Sequence, residues 1–345
     1  MPQSIQVIPR QVIEDQQVIQ VRDALRNVSG VQEANTFGGS RDSYIIRGFD
    51  QFRGGFLRNG FREGGLSAPP VETANLERIE VLKGPASVLY GILEPGGAIN
   101  LITQPLSEPY YSLQGQFGSF GLVRPSLDFS GSLNGDRTLR YRLNAVYQWD
   151  GGFRDFDQKI ERYFIAPVVS WQMNDRTKLT LEASSLEDVR PFDRGLVALG
   201  DGVADIPFNR ILGEPDDRFT QDEFNLEYRF QHQISDDWTI RNGFRFTSRD
   251  TRFTAAELEG GLDEETGILS RWWSDNRSNS ERYALQAKAY FYRSNLLALE
   301  GQPQNGIEDA QKAAAILESR GESGGAAAMR QLAENIRQGI EDGEF

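Results

Sequence analysis

Between Thr138 and Trp149 the character of the side chains changes with period two. Leu139, Tyr141, Leu143, Ala145, Tyr147 and Trp149 fall on one face, and Thr138, Arg140, Arg142, Asn144 and Gln148 on the other. Successive strand residues point to opposite sides, so this segment suits a sheet with one apolar and one polar face. The pattern recurs. Val123, Leu127, Phe129 and Leu133 oppose Arg124, Ser126, Asp128, Ser130 and Ser132, while Phe224, Leu226, Tyr228 and Phe230 oppose Asn225, Glu227, Arg229 and Gln231. Similar alternation near 111–120, 161–172, 177–186, 238–248 and 281–292 brings the expected strands to eight.

The connections between these strands alternate as well. Asn134-Gly135-Asp136, Asn174-Asp175-Arg176 and Ser235-Asp236-Asp237 are tight, whereas Asp150–Lys159, Glu187–Arg218 and Ser248–Ser280 are long and charged; Ser119–Leu122 is a short exception. Short turns at one end and long loops at the other describe the wall of an outer-membrane β-barrel. A β-sandwich also alternates, but three long loops on one edge with aromatics at the strand ends do not suit it.

Composition agrees with that reading. No run approaches the ~18–20 apolar residues of a transmembrane helix, yet 21 Phe, 11 Tyr and 5 Trp are ample for the aromatic girdles of a barrel. A net charge of −13 argues against a nucleic-acid partner. Cysteine is absent, which excludes disulfides and thiolate metal sites. The single histidine, His232, lies in an alternating strand and reads as structural. No secretory leader precedes Met1-Pro2-Gln3, so a chain of this class is expected to be trimmed or incomplete at its start.

The first hundred residues have another texture. In Leu76–Asn100, LERIEVLKGPASVLYGILEPGGAIN, a strand with Ile79 and Val81 on one side and Glu80 and Leu82 on the other runs into a turn at Lys83-Gly84-Pro85. A short apolar helix is expected over Ala86–Tyr90, then a turn at Glu94-Pro95-Gly96-Gly97 and a strand over Ala98–Thr103. Upstream, Ser4–Pro9 alternates as a strand, and Arg10–Val21 reads as a helix that continues through Asp23–Val28 to a C-cap at Gly30. YIIRGF at 44–49 reads as a buried strand carrying Arg47, and Asn59-Gly60 as a hairpin turn.

These segments, together with PQSIQVIPRQVIEDQ…VRDALRNVSGV, resemble the plug domain of TonB-dependent outer-membrane receptors of the ferric-siderophore branch, over nearly all of residues 2–104. The resemblance implies three parts: an α+β plug over 1–104, antiparallel strands of an incomplete transmembrane β-barrel over 105–293, and a tail over 294–345 foreign to the family. Asn305–Ser319 and Ala326–Gly339 read as a helical hairpin weakly similar to the end of a tetratricopeptide array. Family barrels have 22 strands, so eight cannot close around a plug, and about fourteen would lie outside this sequence. The resemblance also implies an outer-membrane location, a ferric siderophore as ligand with the iron carried entirely by the siderophore, no cofactor of the protein's own, and the TonB–ExbB–ExbD complex and outer-membrane lipid as partners. No TonB box precedes Pro2, so transport is not expected of the chain as it stands.

By the same resemblance Arg47 matches an apical ligand-contact position, with Phe49, Arg53, Phe56, Arg58, Phe61 and Arg62 clustered around it. Planar guanidinium donors and rings suit a bulky, anionic chelate. Each of these residues has a plainer reading as surface loop or plug–barrel packing, and Arg47 a further one as partner of a barrel carboxylate. Arg78 and Lys83 are the expected plug–barrel ionic contacts. No constellation suggests catalysis, and the chain is not read as an enzyme. Asp216-Asp217 and Asp263-Glu264-Glu265 read as solvated loop charges without the ordered spacing of a calcium loop. Gly54-Gly55 and Gly64-Gly65 lack the Lys-Ser/Thr of a phosphate loop. Two alternatives stay open: import of cobalamin or glycans by the same architecture, and an interaction protein built of a sheet and a helical hairpin.

Overall fold

The computed structural model describes residues 4–51, 55–63, 69–84, 94–103, 109–156, 159–236, 238–263 and 265–291, with a few helical positions between 311 and 337. The expected helix at Ala86–Tyr90 and most of the expected hairpin over 305–339 lie outside the described residues.

The N-terminal unit is built on a mixed five-stranded sheet. Its elements are β1 (Ser4–Pro9), α1 (Arg10–Asp15), α2 (Val21–Leu25), β2 (Val31–Glu33), β3 (Tyr44–Ile46), β4 (Phe49–Asp50), β5 (Phe56–Arg58), β6 (Phe61–Arg62), β7 (Arg78–Lys83) and β8 (Gly97–Ile102). The sheet order is β1-β7-β8-β5-β6, with β5 parallel to β8 and the other pairs antiparallel. Ile79, Val81, Ile99 and Leu101 are wholly buried against Val21, Ala24, Leu25 and Ile46, which makes one apolar core. Strands β2, β3 and β4 form a separate small sheet beside it.

The single helix expected over Arg10–Val21 is two short ones, and the reason is angular. Ile13 and Val18 are five residues apart, about 140° around an α-helix, so a continuous helix buries one and exposes the other. Gln17 instead adopts φ 50°, the chain breaks there, and both Ile13 and Val18 reach the core. Gln20 and Asp23 then form a reciprocal capping box that starts α2.

The eight expected wall strands are all present: β9 (Tyr110–Phe117), β10 (Val123–Ser132), β11 (Leu139–Asp150), β12 (Ile160–Asn174), β13 (Thr177–Pro191), β16 (Arg218–Gln233), β17 (Trp238–Leu262) and β18 (Leu269–Phe291). A two-residue pair, β14 (Ala198–Leu199) and β15 (Gly202–Val203), decorates the connection after β13. The wall is an antiparallel sheet in the order β18-β17-β16-β13-β12-β11-β10-β9, so it is open, with β9 and β18 at its edges. One expectation is corrected. Residues 248–280 are not a long loop: β17 and β18 continue as a paired ribbon to a tight turn after Leu262, with Asp263 capping that turn by accepting from the Thr266 amide at 2.7 Å. Polar residues on both faces of the ribbon hide it from an alternation criterion.

The two wall faces differ as the period-two pattern predicts. Arg142, Asn144, Gln148, Arg162, Glu182, Asp188, Glu223, Glu227, Arg245 and Arg249 are buried against the N-terminal unit. On the opposite face Phe224, Leu226, Leu285, Tyr163 and Ile165 are exposed, and Leu139, Tyr141, Leu143, Tyr147, Phe244 and Phe246 are half-exposed. A row of apolar side chains facing outward from a wall whose inner face is charged is the arrangement of a barrel in lipid. Among the described residues no helix is long and apolar enough to cross a membrane.

Candidate functional site

The N-terminal unit meets the wall along a seam of buried ion pairs. Glu72, almost wholly buried, accepts from its own Thr73 and Ala74 amides at 2.9 and 3.0 Å and from Arg124 of β10 and Arg162 of β12. Arg162 also pairs with Asp188 at 2.6 Å and donates to the Pro70 carbonyl at 2.9 Å. Lower down, Arg10 pairs with Asp128, which also binds Arg142, and Arg142 reaches Glu77 at 3.4 Å. Glu63 lies between Arg58 at 3.0 Å and Arg245 of β17 at 2.6 Å. At the Asn59-Gly60 turn, where φ is 51° and 81°, the Asn59 amide donates to Glu227 at 3.0 Å, and Thr103 Oγ1 donates to Glu182 at 2.6 Å.

Burial alone raises the Glu63 carboxyl, but Arg245, Arg58 and Arg249 overcome it and hold the group at about 2. Glu72 is held below the ordinary range in the same way: burial pushes it up, Arg124 and Arg162 push it further down. Among the described residues no guanidinium hydrogen-bonds to Asp42. Burial raises it, against a hydrogen bond from the Val71 amide at 2.8 Å.

Arg78 and Lys83, the expected plug–barrel contacts, have local partners among the described residues. Arg78 pairs with Glu80 of its own strand at 2.7 Å, and Lys83 Nζ donates to Gln6 at 3.1 Å and Ser29 at 3.3 Å, all within the N-terminal unit. The seam runs mostly with the opposite polarity, carboxylates Glu63, Glu72 and Glu77 of the N-terminal unit facing wall arginines. The signal lay in the wall itself: Arg124, Arg142, Arg162, Arg245 and Arg249 occupy inner-face positions, and buried guanidiniums require anions opposite them.

A second cluster sits where the long connections gather. Phe37, at φ 51°, packs on Phe192 and Phe253 with ring centroids 5.2 and 5.9 Å away, and the Arg194 and Arg41 guanidiniums lie 4.2 and 5.0 Å from its ring centre. The Gly38 carbonyl accepts from the Asp193 amide at 3.2 Å, and the Gly39 carbonyl from Arg190 at 2.9 Å. Gly38 has no room for more: a Cβ there would stand 2.6 Å from the Phe192 ring. Beside this knot the loops clasp each other. Arg154 pairs with Asp193 at 2.7 Å and lies over Phe153, whose ring stacks on Phe208 at 5.1 Å. Asp217, expected as a solvated charge, is buried, and its carboxylate accepts from the Glu214 and Ala256 amides at 2.7 and 3.0 Å.

The six expected ligand contacts that lie among the described residues do not converge. Arg47 and Phe49 are exposed on the β3–β4 turn. Phe56 packs against Tyr44 at 5.5 Å on the N-terminal core, and Arg58 is occupied by Glu63. Phe61 is buried against the wall at Gly243, and Arg62 is exposed near Arg245 and Arg249. Arg53 lies outside the described residues. Phe37, Arg41, Arg190 and Arg194 were not anticipated. His232 is structural as expected, Nδ1 lying 2.9 Å from Thr177 Oγ1. Among the described residues no group of acidic and histidine side chains could hold a metal ion.

Residues 1–98 match the TonB-dependent Receptor Plug Domain. The chain is 37% identical over 280 residues to the metal-pseudopaline receptor of Pseudomonas aeruginosa, covering 80% of this chain and 38% of that protein. It is 30% identical over 265 residues to the ferrichrome outer membrane transporter/phage receptor of Escherichia coli, covering 73% of this chain and 35% of the other. Among solved structures it superposes on the open form of the ferric-catecholate import receptor Fiu from E. coli with a TM-score of 0.71 at 25% identity, covering 84% of this chain and 46% of that one. The chain thus spans little more than a third of the length of these two curated relatives.

Proposed function

Because this chain belongs to the TonB-dependent receptors, we propose that it supplies the plug and the first wall strands of an outer-membrane receptor for ferric siderophores or closely related metal chelates. The observation that carries the reading is the Phe37 loop. It is a plug segment in contact with the gathered long connections, and it carries the Phe37 ring and Arg41 to where Arg194 of the connection after β13 lies over that ring. An anionic, ring-bearing chelate is complementary to such a surface. The iron comes and goes with the chelate, so the protein needs no cofactor of its own. The outward apolar face of the wall meets lipid, and the TonB–ExbB–ExbD complex drives uptake in the whole receptor.

The loop, and not the exposed Arg47 and Phe49, is the expected place of contact. Equilibrium binding of a panel of ferric siderophores to the receptor bearing this sequence tests it. Arg41→Ala should weaken binding by the ~1.5–3 kcal/mol of a charged hydrogen bond, and Arg47→Ala should leave it unchanged. The reverse pattern moves the site to the β3–β4 turn. Binding of cobalamin or a glycan in place of every ferric chelate would overturn the ligand class.

A further inference from the structure

The Phe37 loop and the plug segment that carries Glu72 share one wall residue. Asp188 of β13 is 0% exposed and is gripped by an arginine on either side. Its Oδ2 accepts from Arg162 Nε at 2.6 Å and from Arg190 Nη2 at 2.7 Å, and its Oδ1 accepts from Arg190 Nε. Each arginine then turns a further donor to a plug carbonyl. Arg190 Nη1 donates to Gly39 at 2.9 Å, and Arg162 Nη2 donates to Pro70 at 2.9 Å. Inside the plug the same two segments are joined by the Val71 amide, which donates to Asp42 at 2.8 Å.

The Phe37 loop needs such a hold. Phe37, Gly38 and Gly39 have φ of 51°, 65° and 81°, three left-handed residues in succession. That region is unfavourable for a phenylalanine and persists only where the surroundings fix it. Within the loop, Asn35 Oδ1 accepts from the Phe37 amide at 2.8 Å, and the Phe37 carbonyl accepts from Ser40 Oγ at 2.7 Å. From outside, the Asp193 amide donates to Gly38 and Arg190 to Gly39. A guanidinium is a rigid planar fork. Once Nε and Nη2 of Arg190 are held by the Asp188 carboxylate, the direction of Nη1 is set. Asp188 is wholly buried, so it acts on a ligand only through that arginine.

We infer that Asp188 is a positioning residue of the chelate site: by aiming Arg190 at the Gly39 carbonyl it sets the shape of the Phe37 loop without meeting the ligand. This rests on the reading of that loop as the place of chelate contact. Asp188→Asn, Arg190→Met and the double variant are made in the receptor bearing this sequence. Arg190→Met leaves Asp188 paired with Arg162 and so guards against a folding defect. Hydrogen exchange of the Arg41 amide, bonded to the Thr36 carbonyl at 3.2 Å, should quicken several-fold in each variant. The Val28 amide, bonded to the Leu25 carbonyl at 2.9 Å in the plug core, should be unchanged in Arg190→Met. Affinity is measured with ferrichrome and with the iron(III) complex of 2,3-dihydroxybenzoate. For a probe that binds, each single variant should lose roughly five- to tenfold, and Asp188→Asn should add less than about twofold on the Arg190→Met background, since both act through one guanidinium. Unchanged Arg41 exchange in the single variants, or affinity losses that multiply in the double variant, overturns the assignment. If Arg41→Ala leaves affinity for a bound probe unaltered, it is the loop's role as chelate contact that fails, and the exchange rates still decide whether Asp188 holds the loop.

Discussion

Glu72 ties the plug to the wall through two buried arginines, and its removal has a calculable consequence. Its carboxylate serves two backbone amides and two arginines that are 4% and 3% exposed. Breaking a buried pair by deleting one partner costs about 3–5 kcal/mol. Neither arginine is orphaned by the deletion, because Arg124 keeps Gln148 at 3.0 Å and Arg162 keeps Asp188 and the Pro70 carbonyl. Glu72→Ala should therefore fall near the low end, about 3 kcal/mol. Glu72→Gln retains an acceptor for the Thr73 and Ala74 amides and should lose about 1.5–3 kcal/mol of charge-assisted bonding. The assay is hydrogen exchange of the plug amides over Val18–Leu25, with wall amides over 160–170 as internal reference, in urea series of the folded receptor. In a double-mutant cycle Glu72→Ala and Arg124→Ala should couple by about 1–3 kcal/mol. Coupling below about 0.5 kcal/mol, with plug exchange unchanged, would refute the claim that this pair holds the plug.

Three further outcomes are expected. Glu63 has a folded pKa of about 2 against an ordinary 4.5, so its contribution is complete above the unfolded value and disappears as pH falls from about 4.5 toward 2. Urea midpoints of the plug should drop across that window by roughly 3 kcal/mol at most, and Glu63→Gln should flatten the dependence. Gly38→Ala forces a Cβ 2.6 Å from the Phe192 ring at φ 65°, so the loop must move, at about 1 kcal/mol or more, and chelate affinity should fall with it. Leu226→Arg on the outward face should weaken folding into bilayers by about 2–4 kcal/mol, as measured by retention of heat-modifiable mobility, and no loss would mean that this face does not meet lipid.

The wall was legible because one of its faces is apolar at nearly every second residue, and a period of two is visible without knowing the partner strand. The ribbon beyond β16 was not, because its buried face ends at Glu257 and the residues beyond it are exposed and carry no such period. The plug was legible from its turns and short apolar strands, but its helix was overdrawn at Gln17, where burial of both Ile13 and Val18 outweighs helical continuity. The Phe37 cluster was hidden for another reason. Phe37 stands alone in a polar, glycine-rich segment, and Phe192 and Phe253 are far along the chain. A lone ring beside Gly38-Gly39 was the signal available. The polarity of the seam could have been read from the inner-face arginines, which need anions, and Arg78 and Lys83 distracted from it because local partners satisfy them.

The ribbon formed by β17 and β18 leaves the wall after Thr254, the last residue of β17 paired with β16. The residues from Ala255 to Leu262 carry it roughly 25 Å further. Mechanically it is a slender arm on a stiff base. Two strands alone are barely stable in water and twist easily, so a load applied at the Gly267 turn bends the arm before it reaches the sheet. The exception is its root, where Glu257 is clamped by Arg194, the guanidinium that covers Phe37, the Ala256 amide donates to Asp217, and Arg271 pairs with Glu214. Gentle contact at the tip is absorbed as bending, and only a pull strong enough to straighten the arm becomes torque on the loop below.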